Sequence, residues 1–223
     1  MTSSATLFDI SPPLDGRLAV FPGDTPLSRE VVLDLALGDT VTLSTLRATS
    51  HLGAHVDAPS HYDPDGPSIG ERALDPFIGP CRVIRVAPGP GSLVTVAMVE
   101  DAVAGGACGA GPDLAGIGRI LIATGTYPDP RQFRSDFAAL DPSLVEWLAA
   151  RDVSLVGIDT PSIDPADSKD LPAHGAVSRH DMNVLEGVVL DHVPPGVYEL
   201  IALPLRLVEF DGSPVRAVLR PLD

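Results

Sequence analysis

Three short segments, CRVIRV at 81–86, RILIAT at 119–124 and SLVGID at 154–159, are almost continuously apolar and rich in β-branched residues. Side chains alternate between the two faces of a strand, so unbroken apolar character marks strands covered on both sides. These three are the expected centre of a sheet. Two other tracts carry helical spacing: VTVAMVEDAVAG at 94–105, with Thr95 placed as a cap, and DPSLVEWLAARD at 141–152, with Asp141 as cap and Pro142 at the first helical position. Near the C-terminus, GVYELIALPLRLVEF at 196–210 and SPVRAVLRPL at 213–222 read as two more strands, joined at Asp211-Gly212 by a turn of the hairpin type. Strands and helices that alternate and then give way to β-structure predict an α/β chain with a mixed sheet flanked by helices.

Length and composition set the outer limits. At 223 residues with 44% hydrophobic positions spread along its length, the chain is expected to fold as one domain over 1–223. Prolines and glycines cluster in ISPPLDG, DPDGPS, APGPGS and HVPPG, where they fit turns. The run GGACGAGPDLAGIG at 105–118 lacks dinucleotide-binding spacing and a following Gly-Lys-Ser/Thr, so it is expected to be a loop. No apolar stretch approaches the ~18 residues of a spanning helix, and the start, MTSSATLFDISPP, lacks the pattern of a signal peptide. A cytoplasmic location is expected. A net charge of −15 repels phosphate backbones and anionic lipid, which disfavours nucleic acid and membrane as partners. Cys81 and Cys108 are too few for a disulfide framework and read as reduced, structural residues.

The chemistry is concentrated in His51-Leu-Gly-Ala-His55-Val-Asp57-Ala-Pro-Ser-His61, which places three of the six histidines and one carboxylate within one short stretch. Imidazole and carboxylate without cysteine suit an open site for a divalent ion better than a closed structural zinc site. All four residues are odd-numbered and share one side of an extended backbone. On a straight strand, however, His51 and His55 stand about 13 Å apart at ~3.3 Å per residue, too far for two ligands of one ion. A helix would turn Asp57 away, and Pro59 would break it. The expectation is a kinked loop after a strand, bent at Gly53 and Pro59.

This stretch resembles the H-x-G-x-H-x-D-x-P-x-H signature of the cyclase family, whose best-known bacterial members are kynurenine formamidases. The resemblance extends to FDISPPL, FPGDTP at 21–26, LDPFIGPCRVIRV, GIDTPSIDP, LEGVVLDHVPPGVYELIALPL and SPVRAVLRPL. It implies a swivelling β/α/β fold and two divalent metal ions per subunit, zinc favoured over manganese. His51, His55 and Asp57 would hold one ion, and Asp57 with His174 and Glu186 the other, leaving His61 free for proton transfer. The implied reaction is hydrolysis of N-formyl-L-kynurenine to L-kynurenine and formate by metal-activated water, in tryptophan degradation through kynurenine. A homodimer with pockets near the subunit contact is implied as well. Phe21 precedes Pro-Gly-Asp where relatives commonly carry a tryptophan against the substrate ring, which leaves room for another aryl formamide or a specialised biosynthetic role. Competing readings are a cyclic amide of the isatin type as substrate, or a metal-binding protein without catalysis. Asp159 reads as orienting a loop or supporting the site, and His180 and His192 as surface or packing residues, with His180 close enough in sequence to His174 to support it.

Overall fold

Over residues 7–105, 114 and 116–222, which this computed structural model describes, the N-terminal half contains strands β1 (Phe8–Asp9), β2 (Ser28–Leu33), β3 (Leu43–Arg47), β4 (His55–Asp57), β5 (Ile78–Arg85) and β6 (Leu93–Val94). There follow helix α1 (Val96–Ala104), β7 (Arg119–Ala123), β8 (Ala139–Leu140), α2 (Pro142–Ala149), β9 (Leu155–Ile158), α3 (Pro172–Arg179), β10 (Asn183–Glu186), β11 (Gly196–Ile201), β12 (Gly212–Pro214) and β13 (Val218–Pro221). Nine strands make one mixed sheet in the order β1-β13-β11-β5-β7-β9-β10-β4-β12, and β5, β7, β9 and β10 run parallel within it.

The three continuously apolar segments are the central strands, as their pattern requires. Ile120 and Ile122 of β7 pack towards α1, α2 and α3 with Val99, Leu144 and Val177, whereas Leu121 and Ala123 point to the opposite face, among Val56, Leu185 and Leu200. Each face has its own core, so no position on the strand can be polar without a cost. Both expected helices form: Thr95 caps α1 through Met98 N at 3.5 Å, and Asp141 caps α2 through Ser143 N at 2.8 Å, with Pro142 at its first position.

The C-terminal expectation is corrected. The segment read as one strand over 196–210 ends at Ile201, and the segment over 213–222 splits into β12 and β13. Asp211-Gly212 is no hairpin turn, because β12 pairs with β4 at one end of the sheet while β13 pairs with β11 and β1 near the other. Seven strand spacings separate β12 from β13 in the order, about 34 Å on a flat sheet at ~4.8 Å each. Only Val215, Arg216 and Ala217 join them, reaching about 15 Å at most. The sheet must therefore curl until its ends approach. The joining residues bridge the gap, with Val215 N donating to Ala54 O at 2.9 Å and Ala217 O accepting from Ile10 N at 3.0 Å. Periodicity cannot reveal such a split, since both halves keep strand character.

Helix α3 and strand β10, which carry His174 and Glu186, and the β2–β3 hairpin were not foreseen. The run at 105–118 lies mostly outside the described residues, as does Cys108, while Cys81 is buried and unpaired. Among the described residues no helix is long and apolar enough to cross a membrane. Leu121→Ala is expected to cost ~2–5 kcal/mol, because its buried side chain fills the interior of the curl. A lowered urea midpoint at unchanged m-value checks this.

Candidate metal centre and active site

Strand β4 lies between β10 and β12, and its register sets Glu186 directly opposite His55 and Val184 opposite Asp57. His55 and Asp57, two residues apart, emerge on one face. The expected loop is thus a strand at this point, and the bends lie on either side of it. Gly53 takes φ +60°, turning the chain so that the His51 and His55 rings stand 5.0 Å apart rather than a straight strand's span. Pro59 opens a short 3-10 turn to His61, whose ring comes within 4.2 Å of His51. Gly187, immediately after Glu186, is the second backbone requirement: it has φ +66°, and a Cβ there would lie 2.2 Å from the Gly53 carbonyl oxygen.

His174 reaches the same place from α3. His174 Nε2 lies 3.3 Å from Asp57 Oδ2 and 3.5 Å from Glu186 Oε1, and His55 Nε2 lies 3.4 Å from Asp57 Oδ1 and 3.5 Å from Glu186 Oε2. His51 Nδ1 is 3.0 Å from Asp57 Oδ1. Three groups of donors result, each with its atoms within 4.8 Å of one another: His51, His61 and Asp211 form one, and the two that contain Asp57 are His51, His55, Asp57 and Asp57, His174, Glu186. All five predicted ligands converge, with Asp57 common to the latter two groups.

The far nitrogen of every imidazole is also engaged. His55 Nδ1 faces Gly53 O at 2.8 Å, His174 Nδ1 faces Asp164 Oδ2 at 2.7 Å, and His51 Nε2 faces Asp211 Oδ2 at 3.1 Å. Asp164 additionally accepts from the N–H groups of Ala173 and His174, both at 3.0 Å, so one buried carboxylate caps α3 and aims its histidine. Partners of this kind fix which nitrogen turns to an ion. The sequence reading missed both acids. Asp211 was read as a turn residue, and Asp164, inside GIDTPSIDP, carries no spacing signal that separates it from an ordinary turn Asp.

Asp57 and Glu186 are both buried, 1% and 3% exposed, and need nearby cations or hydrogen-bond donors to stay ionised. Burial works against their charged forms, yet the imidazoles bonded to them pull both below the usual carboxylate range. Burial also opposes charge on His51, but its bonds to Asp57 and Asp211 outweigh that and raise it to about 9. His174 is raised likewise by Asp164, Asp57 and Glu186 against the effect of burial. A set of imidazole nitrogens and carboxylate oxygens fits divalent ions, whose binding would displace protons from these imidazoles. His61 behaves oppositely: burial, with His51 and His174 nearby, lowers it.

These groups line a cavity of ≈ 530 Å³ that is also lined by Phe21, Tyr127 and Phe133. Phe21 packs edge-on against Phe133 with ring centres 5.0 Å apart, so it belongs to the cavity wall. Phe133 and Tyr127 carried no signal in the sequence. Asp159 lines this cavity but belongs to neither donor group that includes Asp57. It accepts from Thr124 N, Gly125 N and Thr124 Oγ1 at 3.0, 2.8 and 2.6 Å and so orients the loop after β7. His180 pairs with Glu146 at the surface and His192 with Asp191.

With its fold and donor set described, the chain can be placed: residues 8–165 match the Cyclase family model, described as "Putative cyclase", and the chain belongs to that family. Within it, the chain is 48% identical over 216 residues to the kynurenine formamidase of Bordetella pertussis (strain Tohama I), covering 97% of this chain and 98% of that one. The fold matches a structure described as a potential metal-dependent hydrolase with cyclase activity, with TM-score 0.79 at 22% identity over 98% of both chains. It also matches isatin hydrolase A from Labrenzia aggregata, with TM-score 0.79 at 21% identity over 98% of this chain and 94% of that one.

Replacing Asp164 by Asn is expected to weaken divalent-metal affinity ~10- to 100-fold without unfolding the protein, as read by competition with a chromogenic chelator. Because His51 is protonated below about 9 in the metal-free protein, binding at neutral pH must expel its proton. Calorimetric titrations in buffers of different ionisation enthalpy should show proton release, and affinity should rise as the pH approaches 9.

Proposed function

We propose that the chain is a metal-dependent kynurenine formamidase that hydrolyses N-formyl-L-kynurenine to L-kynurenine and formate, in tryptophan degradation through kynurenine. The observation that carries the reading is the meeting of His51, His55, Asp57, His174 and Glu186 at a cavity whose wall includes Phe21, Tyr127 and Phe133. Near-full-length identity to formamidases supports the choice of substrate. The two donor groups sharing Asp57 support two ions, with zinc the better fit to three imidazoles. Bound there, such ions supply Lewis acidity that brings the pKa of water from ~15.7 to about 7 and accepts oxyanion charge.

His61 does the proton work in this reading. Held neutral by burial and by neighbouring imidazoles, it can take a proton from the attacking water as the C–O bond forms. It then returns that proton to the aniline nitrogen as the C–N bond breaks. Asp211 Oδ2, 3.6 Å from His61 Nδ1, stabilises the imidazolium in between. Phe21, with Phe133 edge-on beside it, offers an aromatic face to the aryl ring, smaller than the tryptophan expected at that place. A cyclic amide presents the same kind of carbonyl, and the resemblance to isatin hydrolase at 21% identity bears on the fold alone.

A homodimer completes the reading. The β2–β3 hairpin exposes Val31, Val32, Leu35, Leu37, Leu43 and Leu46, with Leu37 at 85% exposure. An isolated two-stranded ribbon is marginal in water, and apolar side chains so concentrated call for a cover. Phe21 and Asp24 precede the hairpin, Thr49 follows it, and all three line the cavity, which supports a contact beside the pocket.

Formamidase activity should vanish with a strong chelator and return with zinc or manganese. A metal-loaded protein inert towards N-formyl-L-kynurenine would instead favour the cyclic-amide or non-catalytic reading. His61→Ala should retain metal and lose ~10²- to 10⁴-fold in kcat. Leu37→Asp combined with Leu46→Asp should yield a monomer by sedimentation velocity if the hairpin is the subunit contact.

A further inference from the structure

Arg85 is the last residue of β5 and lies at the C-terminal edge of the parallel strands, where clefts open in sheets of this kind. It lines the same cavity as His61, and among the described residues it is the only lysine or arginine to do so. Its surroundings are otherwise acidic: Asp24, Asp159, Glu186, Asp191 and Asp211 line that cavity, in a chain of net charge −15. An anionic ligand group entering such a field needs a fixed cation to meet it.

The guanidinium is held without being used up. Nη2 donates to Leu190 O at 2.8 Å and to Val193 O at 3.2 Å, tying it to the loop after β10. No other hydrogen bond and no ion pair of Arg85 occurs among the described residues, so Nε and Nη1 keep their donors for another partner. Three strand spacings, about 14 Å at ~4.8 Å each, separate the ends of β5 and β10 along the sheet. Arg85 and Glu186 are thus far enough apart to engage the two ends of one substrate, in a cavity that Phe21, Tyr127 and Phe133 also line.

Resting on the formamidase reading, we propose that Arg85 binds the carboxylate of the substrate's amino-acid tail. It thereby selects aryl formamides that carry an α-amino carboxylate over those that do not. The planar fork suits a carboxylate better than an ammonium would, which gives the position its preference for arginine.

The test compares the metal-loaded wild type with Arg85→Met and Arg85→Lys on N-formyl-L-kynurenine and on formanilide, which lacks the tail. Arg85→Met should lose roughly 10- to 100-fold in kcat/KM on the first, mostly through KM, and change less than about twofold on the second. Arg85→Lys should recover part of the loss. Calorimetric binding of L-kynurenine and of its decarboxylated amine supplies a readout independent of turnover: the wild type should prefer the carboxylate, and Arg85→Met should not. Equal losses on both substrates, or an unchanged preference between the two ligands, would overturn the assignment. A wild type inert on both formamides would instead sink the formamidase reading, while the binding comparison still decides the role of Arg85.

Discussion

Two carboxylates buried side by side within a sheet are the constraint that the rest of this structure answers. Asp57 and Glu186 sit on adjacent antiparallel strands, held there by a register that no small shift can relax. Taking both out of water costs far more than any single hydrogen bond returns. Three imidazoles turned inward, each gripped at its other nitrogen, meet that cost in part, and divalent ions would meet it more fully. Glu186 also accepts from Ile163 N at 2.7 Å, and the segment leading to α3 is thereby tied to β10.

The curl of the sheet makes this arrangement possible. Because three residues must join strands at opposite ends of the order, the sheet encloses one core within itself and presents the other to three helices. Ligands from β4, β10 and α3 then meet although they are far apart in the chain. The same curl brings Asp211, just before β12, against His51 and His61.

What the site acts on is decided by the wall around it. Solved structures with this fold share the architecture at identities of 16–24%, and a fold of this kind can host more than one reaction. Divalent ions held by this donor set would polarise any amide carbonyl. Phe21, Phe133, Tyr127 and Arg85 line the cavity, and in the proposed reading they would supply an aromatic surface and a fixed positive charge that distinguish one substrate from another.

By itself the sequence determined the three central strands, two helices with their caps, and the candidate metal-binding stretch, because each is written in residues close together: continuous β-branched runs, Asp141 before Pro142, and alternate polar positions around His55. The bend at Gly53 was legible too, since metal-ligand distances forbid a straight chain there. His174 and Glu186 came from resemblance alone, as a single pair at that spacing carries no local signal. Tertiary structure decided the splitting of β12 from β13, the roles of Asp164 and Asp211, the company Phe21 keeps and the place of Arg85. The physical reason is the same in each case. These depend on which strands become neighbours when the sheet curls, a long-range choice that neither periodicity nor turn chemistry encodes.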